Sequence, residues 1–250
     1  LTYPAFVQPK YDGCRCLYNS EIGHWSRQGN LFIKEVVAHL GFDTDELTLD
    51  GELMLPAPAT FQETITAIKR FRPELSTQLK YHVYDLVDDG ALPFDKRYAA
   101  LKLLVNKLKH PSVVLAPTHV VADEADVAHW HTEFVKQGFE GAIIRTTKGK
   151  YQAGHRSKDL LKLKEMQDAE FKICDVEDGV GKDAGLAIFV CVTKEGNEFR
   201  ARPEGTVEVR AQMFKDRKKL VNKLLTVRLQ GYSNEGVPRF PIGVSARDYE

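Results

Sequence analysis

Apolar and polar residues repeat at two spacings along this chain, close to two and close to three and a half. Tyr3, Phe6 and Val7 make a short apolar run that ends at Gln8-Pro9-Lys10. Beyond Asp12-Gly13, Cys14, Cys16 and Tyr18 alternate with polar neighbours, as in a half-buried strand. Lys10 is therefore expected at a strand edge, fixed by a turn whose glycine takes backbone angles closed to other residues. Residues 25–30 read as a turn, and Phe32, Val36, Val37 and Leu40 mark a helix over 31–40. Residues 47–55 read as an apolar strand interrupted by Asp50-Gly51-Glu52 and ended by Pro56 and Pro58. Phe61, Ile65, Ile68 and Phe71 fall at helical spacing behind a Thr60 N-cap. A strand over 81–87 is closed by Asp88-Asp89-Gly90, and a helix through Leu101, Leu104, Val105 and Leu108 stops before Pro111. Strand 113–117, helix 122–137 (Val127, Trp130 and Phe134 inward), strand 142–145, polar loop 148–159 and strand 160–164 follow.

The pattern changes at 165–168. Downstream, short strands are expected at 171–176, 186–193, 198–202 and 225–229, with one amphipathic helix at 207–223. About five short strands and one helix are the make-up of an OB-fold β-barrel. The boundary is placed near residue 166, giving units 1–166 and 167–250. The fold class is α+β, a first domain of antiparallel sheets with flanking helices followed by the barrel.

Composition narrows the choices. The chain has 250 residues, of which 43% are hydrophobic and 28% charged, the values of an ordinary water-soluble globular protein. Lys plus Arg and Asp plus Glu both number 35, so any basic surface must be local. No apolar run approaches a membrane span and no signal peptide opens the sequence. Leu1 stands where an initiator Met would, which suggests a processed or trimmed start. Cys14, Cys16, Cys174 and Cys191 lack the spacing of a zinc site or disulfide framework and read as buried free thiols.

The chemistry begins at Lys10. An amine fixed at a strand edge suits nucleophilic work once it is uncharged. Lys10-Tyr11-Asp12-Gly13-Cys14-Arg15 resembles the first motif of the covalent nucleotidyltransferases, which comprise ATP-dependent DNA ligases, RNA ligases and mRNA capping enzymes. Further pieces match in the family's order. Arg27 in Ser-Arg-Gln-Gly resembles a small motif, Asp50-Gly51-Glu52 the third motif, and Tyr84-Asp85 the position of a purine-stacking ring. Glu140-Gly141 before Ile143, Ile144 and Arg145 resembles the fourth motif. Arg156 and Leu161-Lys162-Leu163-Lys164 resemble the approach to the fifth motif and the motif itself. In a strand, Lys162 and Lys164 face one way and the leucines the other; side-by-side ammonium groups are costly unless an anion lies between them. Pro238-Arg239-Phe240-Pro241, with Arg247-Asp248 beyond, resembles the sixth.

The resemblance implies a small two-domain ATP-dependent DNA ligase, with an ATP-grasp-like adenylation (nucleotidyltransferase) domain before the OB-fold. It implies Lys10 as nucleophile, with Asp12, Arg15 and Lys164 beside it in the catalytic set. It places Glu140 on a metal, Glu52 on the ribose or a metal, Tyr84 on the adenine face and Gln8 at the adenine edge. Lys162 and Lys164 hold the α-phosphate, while Arg15, Arg27 and Arg156 hold nucleotide or nick phosphates. Arg239 and Arg247 orient pyrophosphate. The implied cofactors are ATP, as AMP donor, and Mg2+, with Mn2+ as a substitute. The implied partner is nicked double-stranded DNA. The chain is expected to act as a monomer, with no membrane, inside a bacterial or phage-infected cell. RNA ligase and mRNA capping guanylyltransferase, which share lysyl-nucleotide chemistry, are the alternatives.

Overall fold

The structure is a computed structural model that describes residues 1–155 and 157–247. The chain divides into two compact units, Leu1–Lys164 and the residues from Glu165 onward.

The first unit runs β1 (Ala5–Pro9), β2 (Cys14–Asn19), β3 (Gly23–Ser26), α1 (Lys34–Val37), β4 (Thr48–Met54), α2 (Phe61–Lys69), α3 (Pro73–Ser76), β5 (Lys80–Val87), α4 (Phe94–Leu108), β6 (Val113–Leu115), β7 (His119–Val121), α5 (Glu124–Lys136), β8 (Gly141–Thr146) and β9 (Leu160–Lys164). Two sheets result, one ordered β7-β1-β8-β9 and the other β3-β2-β4-β5-β6. All pairings are antiparallel except β5 with β6. Ala5, Val7, Ala142 and Ile144 of the first sheet pack with Val127 and Phe134 of α5. Leu49, Leu53, Tyr81 and Val83 of the second pack with Val36, Ala67, Ile68, Leu101 and Val105 from α1, α2 and α4.

Local chemistry sets the helix starts. Thr60 accepts a hydrogen bond from the Glu63 N–H, while the Glu63 carboxylate accepts from the Thr60 N–H at 2.7 Å, a reciprocal cap that satisfies two orphan donors of α2. Asp123 caps α5 in one direction only, its side chain accepting from the Asp126 N–H at 2.9 Å.

The 31–40 helix is shorter than expected. It is a four-residue α1 followed by a 3-10 turn at Ala38–Leu40, and Leu31 and Phe32 lie outside it. Asp50-Gly51-Glu52 does not interrupt its strand, because β4 runs straight through it with only a register shift against β5 at Asp50/Gly51. Phe71 lies beyond the end of α2 and is exposed. β3 and β7 were not foreseen as strands.

The second unit contains β10 (Gln167–Asp178), β11 (Ala187–Val192), β12 (Glu198–Pro203), α6 (Val207–Lys215), α7 (Arg217–Leu220), β13 (Leu224–Leu229) and β14 (Ile242–Arg247). Its five strands close on themselves in the order β10-β11-β12-β14-β13. Phe171, Ile173, Phe189, Cys191, Phe199, Leu225 and Val227 fill the interior. The expected helix over 207–223 is broken at Asp216, whose φ of −88° and ψ of 11° leave the helical region. The four cysteines are free, but only Cys16 and Cys191 are buried.

Candidate active site

Register assembles the site. The main chain of Lys10 extends the β1–β8 ladder: its N–H donates to the Gly141 carbonyl, and its own carbonyl accepts from the Glu140 N–H, both at 2.9 Å. Gly141 in turn pairs with Lys164 on β9. Three neighbouring strand ends thus bring Lys10, Glu140 and Lys164 together. Lys10 Nζ donates to Glu140 Oε2, and Lys164 Nζ lies 2.8 Å from Glu140 Oε1. Burial would raise the Glu140 carboxyl, but hydrogen bonds and charge from the two lysines outweigh it and hold the group below its ordinary range. Gly141 has a φ of +143°, and a Cβ there would meet the Leu163 carbonyl oxygen at 2.1 Å, so no other residue permits this approach of β8 to β9.

Beside this trio is a cavity of about 700 Å3 within the first unit. Of the residues singled out from sequence, Gln8, Lys10, Arg15, Arg27, Glu52, Tyr84 and Lys162 line it. Burial, then repulsion from Asp50, pushes the Glu52 carboxyl up to about 8 against the pull of Lys10 and Arg15. Partial burial lowers the Lys162 ammonium, and the positive charges of Lys10, Arg27, Lys164 and Arg15 lower it further. Such a convergence of cations favours an anionic occupant.

For several of these residues the structure adds a place or a partner. Asp12 lies in the β1–β2 turn and is not a wall residue of the cavity. The role expected for Gly13 in that turn also differs. It is not in the left-handed region; its lack of a side chain matters because a Cβ would lie 2.4 Å from the Leu53 carbonyl oxygen and 2.9 Å from Glu52 Cγ. Arg15 is committed to a partner within the protein, with Nε 2.8 Å from Asp50 Oδ1 and Nη2 2.5 Å from Asp50 Oδ2. Gln8 is also engaged: Nε2 donates to the Tyr84 carbonyl at 3.1 Å and to Thr118 Oγ1 at 2.9 Å, and Oε1 accepts from Arg145 at 2.8 Å. Leu161 and Leu163 alternate with the lysines but remain 41% and 37% exposed. Arg239 and Arg247 belong to the second unit; Arg239 follows β13, and Arg247, at the end of β14, pairs with Glu170 at 2.7 Å. Arg156 and Asp248 lie outside the described residues.

Sequence reasoning assigned no role to a buried charge cluster in the cavity wall. Asp85, with no exposed surface, is shared by Arg97 (Nε–Oδ1 2.8 Å, Nη2–Oδ2 3.1 Å) and Arg145 (Nη1–Oδ2 2.7 Å). The Arg145 guanidinium also lies 4.8 Å from the Phe94 ring centroid and 5.5 Å from that of Tyr84. Arg97 had a visible signal: it sits on the same stripe of α4 as Phe94, Leu101 and Val105, where an apolar residue belongs. Tyr151 bridges the other pair, donating to Asp50 at 2.9 Å and accepting from Arg15 at 3.1 Å.

Residues 2–164 match the family model of the ATP-dependent DNA ligase domain. The chain belongs to the ATP-dependent DNA ligase family. The DNA ligase of African swine fever virus, in a Kenyan pig isolate, is 32% identical over 181 residues, covering 65% of this chain and 42% of the relative. That of the Badajoz strain is 28% identical over 242 residues, covering 91% and 57%. This ligase-family chain thus spans about half the length of the curated relatives it matches. Among solved structures, a Lig E DNA ligase studied for DNA binding with a minimal scaffold superposes with a TM-score of 0.80 at 22% identity, covering 98% of this chain and 93% of that one. The Chlorella virus DNA ligase-adenylate gives 0.56 at 22% identity, covering 100% and 94%. Those structural likenesses establish the ligase fold. No helix among the described residues is long and apolar enough to cross a membrane.

Proposed function

We propose that this chain uses ATP to seal nicks in duplex DNA through a lysyl-AMP intermediate. The observation that carries the reading is the Lys10–Glu140–Lys164 trio beside a cavity of about 700 Å3, a size within the usual range for small-molecule sites. In the first step Lys10 Nζ bonds to the α-phosphorus of ATP, the bond to the pyrophosphate oxygen breaks, and a proton leaves the amine. Glu140, already the hydrogen-bond partner of Nζ, is placed to take that proton. Lys162 and Lys164 neutralise the α-phosphate, Arg27 serves the outer phosphates, and Tyr84 offers its ring to adenine. AMP then passes to the 5′-phosphate at the nick, and the 3′-hydroxyl displaces it. In-line placement and charge neutralisation account for most catalysis of this kind.

Magnesium, with manganese as a substitute, would stabilise the negative charge that develops on the phosphates. Among the described residues no three His, Cys, Asp or Glu side chains gather to form a metal cage. The available donors, Glu140 and Glu52, suit a cation that takes one or two carboxylates and leaves its other positions to phosphate and water. Because Glu140 holds two lysines, a cation must compete with them for it.

We read the second unit as an OB-fold that assists on DNA, with Arg239 and Arg247 serving the pyrophosphate. The closed five-strand order and the helices between β12 and β13 support this. For Arg247 that role requires release from Glu170. The domain division follows the boundary near 166, and the protein works as an intracellular monomer.

The test is a sealing assay on singly nicked DNA with ATP, GTP and NAD in parallel, alongside labelling of the protein by radioactive ATP. ATP-dependent sealing and loss of label in Lys10→Ala are the expected results. Retained label in Lys10→Ala removes it as nucleophile.

A further inference from the structure

The second unit carries 14 lysines and arginines against 15 acids, so its bulk charge does not attract a polyanion. Its arginines are mostly spent within the unit. Arg200 pairs with Glu177 at 2.7 Å and Arg202 with Asp183 at 3.2 Å. Buried Arg210 also takes Asp183, Arg228 reaches both Asp168 and Glu204, and Arg247 takes Glu170. A phosphate approaching any of these must first break an ion pair.

The corner where α6 meets α7 differs. Lys215, Arg217 and Lys218 are exposed and have no ion-pair partner among the described residues. The acid between them, Asp216, is occupied by Lys219 at 2.9 Å and by Gln212 at 2.6 Å. Arg217 is also held in place: its guanidinium carbon lies 4.7 Å from the Phe214 ring centroid, and Nη1 donates to the Phe214 carbonyl at 3.1 Å. A guanidinium steadied in this way loses less freedom when it meets a phosphate. The other unpaired lysines, Lys172, Lys182 and Lys194, lie apart in sequence, on β10, in the β10–β11 connection and after β11.

We propose that Lys215, Arg217 and Lys218 form a contact surface for the phosphate backbone of duplex DNA. This rests on the ligase reading and names the face through which the second unit grips its substrate. Replacing exposed, unpaired side chains leaves the core intact, so the full chain is suited to the test.

The experiment measures binding of nicked duplex across a sodium chloride series for three proteins. They are the parent, Lys215→Ala/Arg217→Ala/Lys218→Ala, and Lys172→Ala/Lys182→Ala/Lys194→Ala, the two variants losing the same charge. Covalent AMP labelling with ATP alone is measured alongside. Each lost phosphate contact lowers the slope of log affinity against log salt by about 0.9, so the corner variant should lose about 2 to 3 in slope with its labelling intact. An unchanged slope overturns the proposal, as does an equal loss in the control variant, which would make the effect one of bulk charge. Absence of labelling in the parent strikes instead at the ligase reading, and the salt comparison still decides the surface.

Discussion

Lys10 and Glu140, 130 residues apart in sequence, form an ion pair whose geometry is set by two main-chain hydrogen bonds of 2.9 Å, from the Lys10 N–H to the Gly141 carbonyl and from the Glu140 N–H to the Lys10 carbonyl. Lys10, the proposed nucleophile, and its partner are therefore positioned by the sheet rather than by their flexible side chains. Glu140→Gln keeps the shape but cannot neutralise two ammonium groups or take a proton. The expected result is protein that folds, labels with AMP about 100-fold more slowly, and needs more magnesium for half-maximal rate. Single-turnover labelling across a magnesium titration measures both effects. A variant with parental rate and an unchanged titration would remove Glu140 from the reaction.

Glu52 gives a dependence on pH. Its carboxyl is raised to about 8 in the folded chain, so between its ordinary value of 4.5 and about 8 the folded state holds a proton that the unfolded state has released. Its contribution to stability is therefore complete below the ordinary value and lost as pH rises towards 8. Glu52→Gln, which never ionises, should melt close to the parent at acid pH and increasingly above it up to about pH 8. A tenfold displacement of the equilibrium corresponds to about 1.4 kcal/mol, so a gap of a few kcal/mol is expected at the alkaline end. A gap independent of pH would refute the raised carboxyl.

How much of this was legible in the sequence depends on the kind of contact. Local patterns placed β1, β2, β5, β8, β9, α2, α4 and α5; β5 and the three helices bury one face with a regular period, whereas β9 alternates in residue type without burying either face. Thr60 announced its helix through a cap that involves only its own neighbours. The failures share a cause. β14 starts just after Pro241, contains Gly243, and owes its strand character to pairing with β13 over five positions and with β12 over two rather than to its residues. The 207–223 stretch keeps a helical composition through a break made by the backbone at Asp216.

In the site, the resemblance supplied the names of residues but not their partners. Nothing near Arg15 in the chain reveals that Asp50 has claimed it, nor that Gln8 spends its amide on Tyr84, Thr118 and Arg145. Long-range pairings of this kind follow from strand register, and a one-residue slip would have sent each side chain to the opposite face.

Asp85 provides the largest stability effect. Among the described residues it alone pairs with Arg97 and Arg145, which are 2% and 7% exposed. Asp85→Ala strands two buried guanidinium groups and should cost at least about 3–5 kcal/mol, the range for breaking a buried pair. Arg145→Met should cost less, because Asp85 keeps both contacts to Arg97 and no charge is left alone. Urea unfolding of the two variants checks the order. Equal losses would mean that Arg97 does not compensate.

Gly13 tests whether the turn behind Lys10 sets the position of the Glu52 strand. Because its backbone is outside the left-handed region, alanine there meets no intrinsic strain, and the effect comes from contact alone. The new methyl group would lie 2.4 Å from the Leu53 carbonyl oxygen, and main chain cannot give way as a flexible side chain can. The β1–β2 turn and β4 must separate, carrying Glu52 with them. Overpacking of this kind costs about 1–3 kcal/mol. The effect on chemistry should be larger than that cost suggests, since Lys10 lies just before the turn and Glu52 just beneath it. Gly23→Ala is the control, with open space around the added carbon but a φ of +97°, so it is destabilised through its backbone and lies apart from Lys10 in sequence. Thermal melts should show both variants weakened to a similar degree, while AMP labelling slows markedly only in Gly13→Ala. Equal labelling in the two would mean that the turn supports the fold without setting the geometry of Lys10.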